Sequence, residues 1–168
     1  MKRISLTAAV AGLVLAACAS SPKEAAPAAA ASSPAPAAET LVPAVNVVPE
    51  SGLGPQRLEK NECALFLWSK TDPSQFIFFE RAQSGTATIR IGAENVEASQ
   101  TANYGQIFGE FMTEQAFAAS DGTTVAISLV PGDELQGGQR VEQGSMVITT
   151  GEGWRTLIPV LGVRACQA

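Results

Sequence analysis

The strongest constraint on this chain is a series of short β-branched and aromatic runs that begins at about Leu58 and is cut repeatedly by turn residues. Residues 64–68 are apolar and end in the cluster Ser69-Lys70-Thr71-Asp72-Pro73-Ser74; residues 76–79 form a second run. Residues 86–91 alternate loosely up to Gly92, and further runs cover 106–112, 115–118, 124–130, 141–149 and 156–163. Asp121-Gly122, Pro131-Gly132-Asp133, Gly137-Gly138 and Gly151-Glu152-Gly153 punctuate them. Gly supplies positive φ and Pro removes a ladder donor, so these residues stop strands and start turns. Apolar runs recurring at roughly 8–12 residues with such breakers between them predict an all-β domain, a small antiparallel β-barrel or sandwich. Only residues 110–120 carry a spacing that a helix could also use.

Composition narrows the chemistry. Lys and Arg number 11 against 16 Asp and Glu, a net charge of −5, which disfavours nucleic acid because phosphates need a basic face. Histidine is absent, so Ser-His-Asp and Cys-His catalysis and His-containing zinc sites are excluded. No cofactor motif is present, and neither a cofactor nor a metal is expected.

The N-terminus carries Lys2-Arg3, then the short apolar stretch 4–15, then Leu15-Ala16-Ala17-Cys18. A basic start before a short apolar core is the pattern of a secretory signal peptide, and the run is shorter than the about 20 residues of a comfortable membrane span. An aliphatic residue, two small residues and a cysteine closing that core resemble the lipobox of bacterial lipoproteins. The resemblance implies a signal peptide over residues 1–17 and a Cys18 that is cleaved free, diacylglyceryl-modified and acylated at its new amino group. Several acyl chains would hold the protein on a membrane without a transmembrane segment. Ala19 and Ser20, not an acidic residue, follow Cys18. By the same resemblance this implies an outer-membrane anchor facing the periplasm.

Residues 18–57 then read as the lipidated cysteine and an Ala- and Pro-rich linker without aromatics. Such a segment buries too little apolar surface to offset its ordering entropy, and its extended limit of about 3.1 Å per residue would let thirty residues reach on the order of 90 Å. The folded module is expected over residues 58–168.

With Cys18 assigned to lipid, Cys63 and Cys166 remain, and an even pair in an exported chain reads as a disulfide. The pair would close nearly the whole module into one loop and hold the first and last strands together. On the chain-entropy model a loop of about 100 residues gains close to 4.7 kcal/mol, reduced by any native strain.

Acidic residues supply the remaining catalytic options. Glu110 with Glu114, or Asp133 with Glu134, would make an acid/base pair only if their carboxyls converged. Asp72, Asp121 and Asp133 lie in Gly- or Pro-containing turns, where turn chemistry explains them better than calcium. Ser20 and Lys23 match a Ser-x-x-Lys spacing but fall in the linker, and Ser69-Lys70 are merely adjacent. Among the aromatics, strand alternation puts Phe66 and Trp68 on one face, and Phe76 and Phe78 on one face with Phe79 on the other. One face cannot hide both Phe78 and Phe79, so one must meet a partner or lie under a loop. Trp154 follows a Gly-rich turn, where its ring could face a ligand.

Lipobox, tether and a small disulfide-closed β-module together also resemble the membrane-bound inhibitors of c-type lysozyme. That resemblance implies an eight-stranded barrel that plugs the lysozyme cleft with a loop, for which the stretch 99–105, with Ser99 and Tyr104, is the best match. The family's Ser-Gly step is missing, and no Lys follows Lys70. The expectation is therefore a lipid-anchored envelope protein whose β-module is a non-catalytic binding or structural module. Its partners would be the membrane through Cys18 and an envelope protein or cell-wall component, with Ser99, Tyr104 and Trp154 as candidate binding residues. Lysozyme inhibition and a carboxylate-based envelope enzyme are the alternatives.

Overall fold

The computed structural model describes residues 46–71 and 75–168. The expected signal peptide, Cys18, the Ser20/Lys23 spacing, the linker as far as residue 45, and Asp72 all lie outside the described residues.

Eight strands follow one another in chain order around a closed antiparallel barrel: β1 (Cys63–Ser69), β2 (Phe76–Arg81), β3 (Thr86–Ile91), β4 (Glu94–Phe108), β5 (Phe111–Ala119), β6 (Thr124–Leu135), β7 (Gly138–Thr149) and β8 (Arg155–Cys166). Closure comes from β1 pairing with β8 over seven positions, from Cys63↔Cys166 to Ser69↔Val160. A closed barrel has no free edge strand, since each strand pairs with two neighbours. The turns after β2, β4 and β6 gather at the end where β1 starts and β8 finishes, here the upper mouth. Those after β1, β3, β5 and β7 form the lower mouth.

An eight-stranded barrel is just wide enough for side chains to fill. Here Leu65, Leu67, Phe78, Ile89, Phe117, Met146, Ile148 and Val160 fill it, all buried in one cluster. Period-two alternation produces this interior. Along β6, Val125, Ile127 and Leu129 are buried, while Thr124, Ala126, Ser128 and Val130 face solvent. Gly162 permits the closest approach at the seam, because a Cβ there would collide with the Phe66 carbonyl oxygen.

Several sequence expectations shift. Phe76 and Phe78 do not share a face. The register jumps from Leu67↔Phe78 to Trp68↔Phe76, leaving Ile77 as an extra, bulged residue. Both Ile77 and Phe78 therefore enter the core, and Phe76 swings outward to lie 6.4 Å from Phe79, centroid to centroid. Phe79 is hidden under the segment before β1, where it joins Leu53 and Ala64 in an outer cluster. The run 106–112 is not one strand: it contains the β4–β5 turn at Gly109 and Glu110. Residues 111–119 form a strand and not a helix, with Phe111, Thr113, Gln115 and Phe117 all buried on one side. β6 continues past Val130 to Leu135 because bulges on either side of Pro131 absorb its missing donor.

The module also begins earlier than Leu58. Residues 46–62 lie against the barrel: Val47 joins the core at the lower mouth, Leu53 seals the outer cluster, and Asn61 N–H donates to the Gln167 carbonyl at 2.7 Å. Sparse apolar residues in a Pro-rich stretch carry no strand period, yet each can fill a site that the barrel already offers.

Candidate functional site

Most of the barrel interior is apolar, but the layer beneath the upper mouth is polar. Its centre is Glu80, near the end of β2, whose side chain follows Phe78 inward. In register it lies between Leu65 on β1 and Ala87 on β3, so neither flanking strand offers it a charge or a donor. The residue is only 4 % exposed. Burial pushes its pKa from 4.5 up to about 8, opposed only in part by the polar Gln115 side chain nearby. Glu80 is thus a neutral carboxylic acid at neutral pH.

Three carboxamides complete this layer. Gln100 and Asn103 on β4 stand opposite Phe117 and Gln115 on β5, both inward-facing. The bulge at Thr101 brings Asn103 back to the same side as Gln100. Gln100 Nε2 donates to Gln115 Oε1 at 2.5 Å and to Glu80 Oε1 at 3.4 Å. Asn103 Nδ2 donates to Gln100 Oε1 at 3.4 Å, and Gln115 Nε2 to the Met112 carbonyl at 3.3 Å. Each amide nitrogen therefore has an acceptor within the protein. Glu80 Oε2 is buried and has no hydrogen-bond partner among the described residues.

Beside this network is a cleft of about 490 Å³, lined by Glu80, Gln100, Asn103 and Gln115 together with Ile107, Phe111 and Met112 from the β4–β5 hairpin. Ile107 is 81 % exposed at its rim. The hairpin is held across the mouth by its tip. Gly109 takes φ 63°, and the adjacent Glu110 carboxylate accepts from Arg164 Nη1 on β8 at 3.1 Å. The same guanidinium lies 5.9 Å from the Phe108 ring centroid. Arg164 is largely buried and this ion pair occupies it, so the mouth presents no free cation from that side chain.

The Cys63–Cys166 disulfide closes the seam beside this tip. The Glu110 carboxylate and the two sulfurs lie within 4.8 Å of one another, but disulfide sulfurs are not thiolates and cannot act as metal ligands in this state.

The residues singled out in the sequence are dispersed. Ser99 and Tyr104 both belong to β4, so the stretch 99–105 is strand and not a projecting loop. Ser99 pairs with Thr86 and Ala118 on the outer wall, and Tyr104 sits half-exposed opposite Glu114. Trp154 is exposed at the lower mouth, away from both. Glu110 and Glu114 do not converge: Glu110 turns to Arg164, while Glu114 faces outward beside Tyr104 and Ser128. Asp133 and Glu134 are exposed at the far end of β6. Asp121 caps its own turn, accepting from Thr123 N–H at 2.9 Å and Thr123 Oγ1 at 3.0 Å. Ser69 is buried against Thr71, and neighbouring Lys70 is exposed. A wider hollow of about 680 Å³ at the lower mouth carries Glu50, Glu94 and Glu152, all three exposed.

Glu80, Gln100, Asn103 and Gln115 were missed by the sequence reading. A signal existed: Glu80 shares the parity of Phe78, and Gln115 that of Phe117, which puts polar side chains on an inward face. The chain has no match among known protein families, characterised proteins or solved structures.

Proposed function

We propose that this chain is a lipid-anchored cell-envelope protein whose barrel is a non-catalytic binding module, with the upper-mouth cleft as its binding site. The observation that carries this reading is the Glu80 layer. A neutral carboxyl and three carboxamides form a fixed hydrogen-bonding wall around one unpartnered oxygen. Such a wall suits recognition, since buried polar groups left without partners gain most from a ligand that completes them. Acid/base hydrolysis by two carboxyls would instead need a second free carboxylate facing the first, and Glu110 is committed to Arg164. The lipobox-like end at Cys18 and the Ala/Pro-rich stretch after it support an anchor and spacer that present the module in the periplasm from the outer membrane. A photo-crosslinking residue placed at Ile107 in the full-length protein, in its native envelope, tests the reading. An adduct is expected there that Glu80→Gln weakens. Turnover of a wall substrate that is lost in Glu80→Gln would overturn it.

A lysozyme inhibitor is the second reading, favoured by the eight-strand count. It is weakened by the placement of Ser99 and Tyr104 within β4. Titrating c-type lysozyme with the protein decides it, and full lysozyme activity at excess protein eliminates it.

A further inference from the structure

Resting on the reading of the upper mouth as a binding cleft, we infer that its ligand carries a primary alkylammonium group, whose head meets Glu80 and whose stem lies along Ile107, Phe111 and Met112. Three observations converge on this class. First, Glu80 is more than nine-tenths buried, yet Oε2 lacks a partner, so the carboxyl keeps a hydrogen-bonding position that the fold leaves unused. Secondly, the cleft lining carries two carboxyls, Glu80 and Glu110, and no Lys or Arg side chain. Thirdly, Ile107, Phe111 and Met112 line the same cleft, matching a short alkyl chain behind a charged head.

The charges around Glu80 agree with a cationic ligand. From β1 and β3 it meets Leu65 and Ala87, and from β4 and β5 only carboxamides. Glu110 at the hairpin tip is a second carboxylate on the cleft, and Arg164 from β8 is already paired with it. An anion would face two carboxyls here. An ammonium group would convert Glu80 from acid to carboxylate, recovering in one ion pair the burial cost that keeps it protonated. The proton leaves to solvent, so binding and deprotonation are linked.

The full-length protein in detergent, titrated calorimetrically with n-pentylamine and with Nα-acetyl-lysine methylamide, tests this. 1-Pentanol serves as the neutral isostere and pentanoate as the anion. Both amines stay charged up to pH 8. Runs in two buffers of different ionisation enthalpy count protons without recourse to any variant. The expected result is saturable amine binding that releases close to one proton at pH 6.5, tightens about ninefold from pH 6 to 7, and tightens less steeply toward pH 8, where about half of Glu80 is already ionised. Glu80→Gln should remove both the proton release and the pH dependence. The relative affinity of the two amines distinguishes a free amine from one borne on a peptide, and binding of either supports the inference. Pentanol binding as well as pentylamine, or amine binding without proton release, would overturn the ammonium assignment while leaving the cleft as a site. No binding by any probe would also overturn it; the crosslinking at Ile107 decides separately whether the cleft is a binding site at all.

Discussion

Cys63 and Cys166 occupy directly opposed positions on β1 and β8, with Cα atoms 4.0 Å apart, so a covalent bond lies on the line along which the barrel closes. The bond spans a sequence separation of 103 residues, and it removes from the unfolded chain the freedom to separate the first and last strands. Replacing both cysteines by alanine should leave the barrel topology intact and cost about 2–5 kcal/mol. Denaturant unfolding of the two proteins measures this, and a loss below about 0.5 kcal/mol would show that the β1–β8 ladder closes the barrel unaided.

Glu80 makes stability depend on pH. Below about pH 4.5 its carboxyl is protonated in both folded and unfolded states. Between there and about pH 8 the unfolded chain gives up the proton while the folded one keeps it, so the folded state is penalised progressively as pH rises. The contribution is a loss of up to about 1.4 kcal/mol per pH unit across that window, levelling off above it. Glu80→Gln should flatten this component and be the more stable protein at pH 8.5 in thermal unfolding. Parallel stability curves for the two proteins would contradict the assignment.

The hairpin tip over the upper mouth depends on Gly109. Alanine there must hold φ 63° and would put its Cβ 2.5 Å from Arg164 Cδ and Nε. The expected cost of Gly109→Ala is about 1–3 kcal/mol, from backbone strain and displacement of the guanidinium. Amide hydrogen exchange should rise at residues 105–112 before anywhere else. Unchanged exchange there would mean that the tip is not held by this contact.

Leu53 tests whether residues 46–62 belong to the folded module. It is 7 % exposed and packs with Ala64 and Phe79 outside the barrel. Leu53→Ala should cost about 2–3 kcal/mol, the range for a buried leucine whose site collapses in part. A neutral result would return the boundary to the neighbourhood of Leu58.

Much of the barrel was readable from residue order. Turn pairs such as Asp121-Gly122 and Gly137-Gly138 mark real hairpin ends, and the alternation in residues 124–130 gives the inward face of β6 directly. The cysteine count gives the pair that joins the two end strands. The polar layer was not read because it needs register as well as parity. Gln100 and Asn103 differ by three residues and would face opposite ways on a regular strand; only the bulge at Thr101 brings them together. The extra residue Ile77 inverts Phe76 in the same way, and a bulge has no composition of its own here. The early start of the module rests on single apolar contacts by Val47 and Leu53, below any periodic signal.

The protonation state of Glu80 underlies the whole account of the upper mouth, because it separates a neutral recognition wall from a charged acid/base site. Carbon-13 NMR of the glutamate side-chain carboxyls, with the Glu80 resonance assigned by its absence in Glu80→Gln, measures that state directly. The account predicts a carboxylic-acid signal at pH 6.5 that titrates at about 8. A carboxylate signal at pH 6.5, titrating near the ordinary 4.5, would contradict it.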